Sequence, residues 1–260
     1  EQRLAEVRAV LAIDPDMAEA YSTLGQALDS QWRRDEAGQA YRRATELNPN
    51  YATGRHWYGM HLAERGLMDE ALAELKAACD LDPFSFIILD NYGWLLNLAG
   101  RRSEALQLFD RAAALNPGFD QTARVKAAAL AALGRRTEAE AIARQLKNNQ
   151  RELDVWTLGT VGLQAEAKAL LDRMDPRDVS NRFQALLSAG ERDAAMDALT
   201  DPSGASKGDS IDLLYHPIFD PIRNDPRFIR YLAVLGIAEA HARAQAWRRA
   251  NPPEEARGGQ

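Results

Sequence analysis

The sequence predicts an all-α fold, a right-handed alpha-alpha superhelix of stacked helix pairs, on three observations. A similar tripeptide ending in proline recurs every 34 residues, small residues recur at the same interval, and alanine is abundant while β-branched residues are scarce. Composition is compatible with such a chain: of 260 residues, 46% are hydrophobic and 27% charged, enough to bury a long apolar spine.

The closing tripeptides are Ile13-Asp14-Pro15, Leu47-Asn48-Pro49, Leu81-Asp82-Pro83 and Leu115-Asn116-Pro117. Proline drives the residue before it out of the α region, so each tripeptide should stop one helix and start the next. Gly25, Gly59 and Gly93 form a second ladder, and Ala37, Ala71, Ala105 and Ala139 a third. Small residues at these places allow paired helices to approach closely where they cross. Gly66, Gly100 and Gly134 fall between apolar-periodic stretches, where a left-handed residue ends the first helix of each pair. Leu24, Leu28, Tyr41 and Leu47 supply the apolar stripe at helical spacing.

This pattern resembles the tetratricopeptide repeat family. It is carried by Tyr21, Leu24-Gly25, Leu28, Ala37, Tyr41, Ala44 and Pro49, then by Tyr58-Gly59, Leu62, Ala71, Leu75, Ala78 and Pro83, and by Tyr92-Gly93, Leu96, Ala105, Phe109, Ala112 and Pro117. The first copy departs at Trp32, which stands where later copies carry the turn glycine, so that turn is expected to differ in shape. A fourth copy keeps Gly134 and Ala139 but lacks the closing proline. Residues 1–15 match only the second helix of a truncated repeat. With no Met at the start, this predicts a piece of a longer protein.

We therefore expect regular repeats over 16–147. Beyond them the glycine spacing shortens to 28 residues through Gly162 and Gly190, predicting irregular helical hairpins over 148–200. The polar stretch from Asn148 to Arg151 reads as the seam between the two parts. A loop over 201–210 leads into capping helices that end at residue 250, and a disordered tail follows over 251–260. Asp220 and Asp225 each precede proline and are expected to be N-caps, with Phe219, Ile222 and Phe228 closing the end of the core. The segment containing Pro217, Phe219, Asp220, Pro221, Arg223, Asp225, Pro226 and Phe228 resembles one that ends such repeat regions in bacterial signalling proteins with winged-helix or cyclase domains. That resemblance implies a regulatory or sensor region of a larger regulator.

Nothing in the sequence assembles an enzyme, a metal site or a cofactor site. His56 and His61 are five apart and do not share a helix face as a metal pair four apart would. Cys79 reads as core filler, and no glycine-rich phosphate loop follows a strand. A net charge of −6 argues against nucleic-acid contact, despite the short basic cluster of Arg243, Trp247, Arg248 and Arg249. No run of eighteen apolar residues is present for a membrane span. A single cysteine fits the cytoplasm, with the periplasm open if the parent protein is membrane-anchored.

The family resemblance implies a protein or peptide held along the first helices of the pairs. The matching positions are Ser22, Gln26 and Asp29, then His56, Met60 and Glu64, then Asp90, Trp94 and Asn97, and finally Arg124. Trp94 is expected to be an anchor, with Met60 an adaptable apolar neighbour. Asp29, Glu64 and Asp90 favour a partner with some positive charge. Two alternatives stand beside this one: a small-molecule sensor whose pocket is closed by residues 148–200, and a structural module that forms homo-oligomers.

Overall fold

The structure is a computed structural model that describes residues 2–146, 151–174, 182–199 and 210–257. The expected seam over 148–150 and the loop over 201–209 lie outside these. Among the described residues there is no strand, and the chain divides into two compact units, Glu1–Tyr92 and Gly93–Gln260.

The first unit holds α1 (Gln2–Ile13), α2 (Ala18–Asp29), α3 (Arg34–Leu47), α4 (Ala52–Glu64) and α5 (Met68–Leu81). The division falls within α6 (Phe86–Leu98), after Tyr92. Helices α2 and α3 pack as one antiparallel pair and α4 and α5 as the next. What brings them together is the absence of a side chain at the crossing. A Cβ on Gly25 would stand 2.6 Å from Tyr41 Cε1, and one on Gly59 would stand 3.0 Å from Leu75 Cγ and 3.1 Å from the Ala71 carbonyl oxygen. Around these crossings Leu4, Ala27, Leu28, Ala37, Ala40 and Tyr41 form a buried cluster, with Tyr21, Leu24 and Tyr58 packed against it. The half-repeat α1 contributes Leu4 to that cluster and also buries Val7.

The pairs turn through a recurring hydrogen bond. The amide of Leu67 donates to the Leu62 carbonyl at 3.0 Å, across Gly66 with φ +78°. In the first pair the amide of Arg33 donates to the Leu28 carbonyl at the same 3.0 Å, and the residue in the left-handed region is Trp32, with φ +62°. The expected difference in turn shape is therefore absent: the tryptophan takes the glycine's conformation. Between pairs, proline ends the helix as expected but does not open the next. Asn48 accepts from the Asn50 amide through Oδ1 at 3.1 Å, Pro49 sits inside that turn, and α4 begins at Ala52.

The second unit continues the scheme with α7 (Arg102–Leu115), α8 (Asp120–Ala132), α9 (Arg136–Gln145), α10 (Arg151–Thr160), α11 (Gln164–Leu171), α12 (Arg182–Ser188) and α13 (Arg192–Ala198). A Cβ on Gly93 would meet Phe109 Cε1 at 2.7 Å, the same sixteen-residue partnership as Gly25 with Tyr41. Gly159 on α10 allows a different close approach, to the first helix of the next pair: an added Cβ would lie 2.2 Å from the carbonyl oxygen of Ser188 on α12.

The end of the core is closed by α14 (Ser210–Tyr215), a 3₁₀ helix (Pro217–Ile222), α15 (Pro226–Val234) and α16 (Ala238–Ala250). Phe219, Ile222 and Phe228 are fully buried, and the Phe219 and Phe228 rings stack at 6.0 Å between centroids. Asp225 caps α15, accepting from the Arg227 amide at 2.9 Å. Asp220 does not cap: it lies inside the 3₁₀ helix, whose cap is His216, and its carboxylate accepts from Arg223 and Arg248. Arg223 is buried and clips the turn by donating to the carbonyls of Leu213, Leu214 and His216 at 3.0, 2.9 and 2.7 Å. The tail expected to be disordered from 251 instead carries α17 (Glu254–Arg257). It is held by Glu254, whose amide donates to the Gly100 carbonyl and whose carboxylate accepts from the Ser103 amide at 2.7 Å.

Candidate binding site

Within the first unit, the first helices present a polar face built on two helices, one from each pair. Gln26 and Asp29 lie on α2, and Met60 and Glu64 on α4, all four partly exposed. Asp29 accepts from His61 Nδ1, with both carboxylate oxygens at 3.0 Å. Glu64 pairs with Arg34 at 3.0 Å, and the Arg34 guanidinium lies 4.2 Å from the centroid of the Trp32 ring. Burial pushes the Glu64 carboxyl up from its usual range in spite of Arg34, and the neighbouring Asp29 charge pushes the same way. Its charge is thus poorly compensated, and an arriving cation would stabilise it.

The other first-unit positions are turned inward. Ser22, His56 and Asp90 are buried. His56 Nε2 meets the Asn91 amide nitrogen at 2.8 Å, and burial lowers the ring's pKa to about 4, so it is a neutral packing residue. The structure brings Asp29 and Glu64 together with Trp32, Arg34 and His61, none of which was singled out from the sequence for this face. One signal was available: Trp32 is the non-glycine residue in a ladder of glycines.

In the second unit, Trp94 on α6 is partly exposed. Arg124 on α8 is 1% exposed and serves the interior, pairing with Asp154 at 3.0 Å and donating to Thr157 Oγ1 at 2.9 Å. Asn97 is buried and lines a cleft of about 580 Å³. That cleft is walled by α8, by the α10–α11 and α12–α13 turns and by the start of the 3₁₀ helix. Two members of the basic cluster on α16 have structural contacts: Arg248 binds Asp220 at 2.8 Å, and the Trp247 ring meets Tyr215 edge-on at 6.2 Å. Cys79 is buried. Among the described residues no group of His, Cys, Asp and Glu is arranged to hold a metal, and no helix is long and apolar enough to cross a membrane.

Residues 18–51 match the tetratricopeptide repeat family model. No curated protein matches the sequence. Solved structures share the fold at low identity. A tetratricopeptide repeat protein from Parabacteroides merdae superposes with a TM-score of 0.62 and 16% identity, over 90% of this chain and 91% of that one. The Pseudomonas aeruginosa protein pilF gives 0.55 and 21% identity, over 72% and 86%. YrrB, described as a tetratricopeptide repeat protein with an unusual peptide-binding site, gives 0.53 and 17% identity, over 74% and 96%. At these identities the likeness is one of fold. With the 34-residue register and the packing it produces, it shows that this chain has the all-α helical-repeat fold seen in tetratricopeptide repeat proteins, with residues 18–51 matching one such repeat.

Proposed function

We propose that the chain is a non-catalytic scaffold that holds a peptide or an extended segment of a partner protein against α2 and α4. The observation that carries this is Trp32. A tryptophan in the left-handed region stores roughly 1 kcal/mol or more that glycine would not, at a turn where the other copies use glycine. Its ring stacks on Arg34, which in turn reaches Glu64 on the first-helix face. Strain of this kind persists where a site uses it.

The partner that suits this face carries a cation for Glu64 and Asp29 and an aliphatic or aromatic side chain for Met60 and Trp32. Trp94, in the second unit, is a further candidate contact. That YrrB, of the same fold, is described by a peptide-binding site supports the peptide reading. We place the chain in a larger bacterial signalling or transcriptional regulator on the strength of residues 217–228. A winged-helix or cyclase domain encoded in the same reading frame supports that placement, and a frame without any signalling domain refutes it.

The test is selection from a displayed random-peptide library, followed by titration of enriched peptides against Trp32→Ala and Glu64→Gln. We expect lysine- or arginine-containing peptides with a bulky apolar residue, weakened at least about tenfold by each substitution, the scale of a hot spot, with helicity unchanged. Enriched peptides that bind both variants as well as the parent refute the site, and failure to enrich any peptide refutes the function.

A further inference from the structure

The cleft in the Gly93–Gln260 unit has the features of a ligand site that the peptide reading does not use. We propose that it binds a small organic anion, a carboxylate- or phosphate-headed molecule with an apolar body. This stands independently of the face on α2 and α4.

Three polar side chains that line the cleft are each more than nine-tenths buried: Asn97, Arg102 and His216. Two of them have polar atoms without a hydrogen-bond partner, Asn97 Oδ1 and Arg102 Nε. Buried groups of this kind are rare and costly, and they point to something that completes them. A half-turn of the Asn97 amide would present its NH2 group there instead of its oxygen. His216 Nδ1 accepts from the Ile218 amide at 3.2 Å, so the ring's hydrogen sits on Nε2 and is available as a donor. Burial and the neighbouring Arg223 charge hold this ring neutral, with a pKa of about 3.

Among the described residues that line the cleft there is an excess of positive charge: Arg136 and Arg192 are exposed, and none of the described lining residues is Asp or Glu. Arg102 is the exception to this excess, because its Nη1 donates to the Glu255 carboxylate from outside the lining, at 2.6 Å to Oε2. Arg102 and Arg136 are the first residues of α7 and α9, where the helix dipole already places positive charge and an arginine is the disfavoured sign. The walls are apolar, with Ala128, Ala131, Val161, Leu187 and Ile218 facing the space. About 580 Å³ is within the range of small-molecule sites. Two turns and the start of the capping segment stand along its sides.

The experiment uses 1-anilinonaphthalene-8-sulfonate as the anionic probe and its uncharged counterpart N-phenyl-1-naphthylamine, titrated by fluorescence against the full chain. We expect one-to-one binding of the sulfonate. It should weaken at least tenfold in Arg136→Glu/Arg192→Glu and in Ala132→Trp, which fills the cleft from an exposed position, and stay unchanged in Arg230→Glu. Displacement by citrate, by indole-3-acetate or by inorganic phosphate separates carboxylate from phosphate heads, and any of these supports the site. The proposal is overturned if the uncharged probe binds as tightly, if the arginine variants bind normally, or if the sulfonate does not bind. It is equally overturned if a peptide with a free C-terminal carboxylate displaces the probe better than the small anions do and its amidated form does not.

Discussion

Replacing Gly25 by alanine tests the packing on which every other feature rests. In the middle of an exposed helix this change stabilises by about 1 kcal/mol, because alanine loses less backbone freedom. Here the new methyl would stand 2.6, 2.7 and 2.8 Å from Cε1, Cδ1 and Cζ of Tyr41, closer than carbon atoms tolerate. The ring cannot step aside. It is 2% exposed and held between Tyr58 and His61, at 6.3 and 5.3 Å between centroids. Overpacking of this kind costs about 1–3 kcal/mol; set against the propensity gain of about 1 kcal/mol, the net loss expected is roughly 0–2 kcal/mol. Urea unfolding followed by circular dichroism measures it, and Tyr41→Leu supplies the control. That substitution destabilises alone but relieves the clash, so the double variant should be more stable than the sum of the two losses by about 1 kcal/mol or more. A stabilised Gly25→Ala, or losses that simply add, would refute the proposed crossing.

Three further outcomes follow from the same geometry. Arg223→Lys should lower stability by about 2–4 kcal/mol in thermal unfolding, because an ammonium cannot serve three carbonyls and Asp220 from one buried position. His56 and His216 have folded pKa values of about 4 and 3, below the ordinary 6.5. Their contribution is therefore complete above pH 6.5 and is lost as pH falls toward the folded values, by about 2 kcal/mol each at pH 5. Nuclear magnetic resonance titration checks this, since neither ring should titrate between pH 8 and pH 5. Trp32→Gly should leave stability unchanged within about 1 kcal/mol, because relief of the left-handed backbone offsets lost packing and the stack on Arg34. It should still abolish most of the affinity for a selected peptide in a titration.

The repeat was legible in the sequence because its causes are local. Gly25 and Tyr41, or Gly93 and Phe109, are sixteen residues apart, and a fixed period exposes such pairs without coordinates. The capping phenylalanines could also be placed from the sequence. What escaped was set by partners outside the period. Arg124 sits at a first-helix position that the family pattern turns toward a ligand, but Asp154 and Thr157 on α10 draw it into the interior. Asp220 precedes proline as a capping residue would, yet Arg223 and Arg248 recruit its carboxylate, and the latter is 28 residues away. The tail looked disordered by composition, and Glu254 fixes it through the Ser103 amide at a separation of 151 residues. Trp32 breaks the glycine ladder in the sequence, yet the turn keeps its shape, because the backbone takes the left-handed conformation there and the hydrogen bond from Arg33 to Leu28 keeps its length.

Hydrogen–deuterium exchange of the full chain, with and without a selected peptide, addresses most directly whether the first helices bind. Protection of the amides of 18–29 and 52–64, together with the turn at Trp32, is the predicted result. Protection confined to α3 and α5, or to no part of residues 2–81, would contradict it.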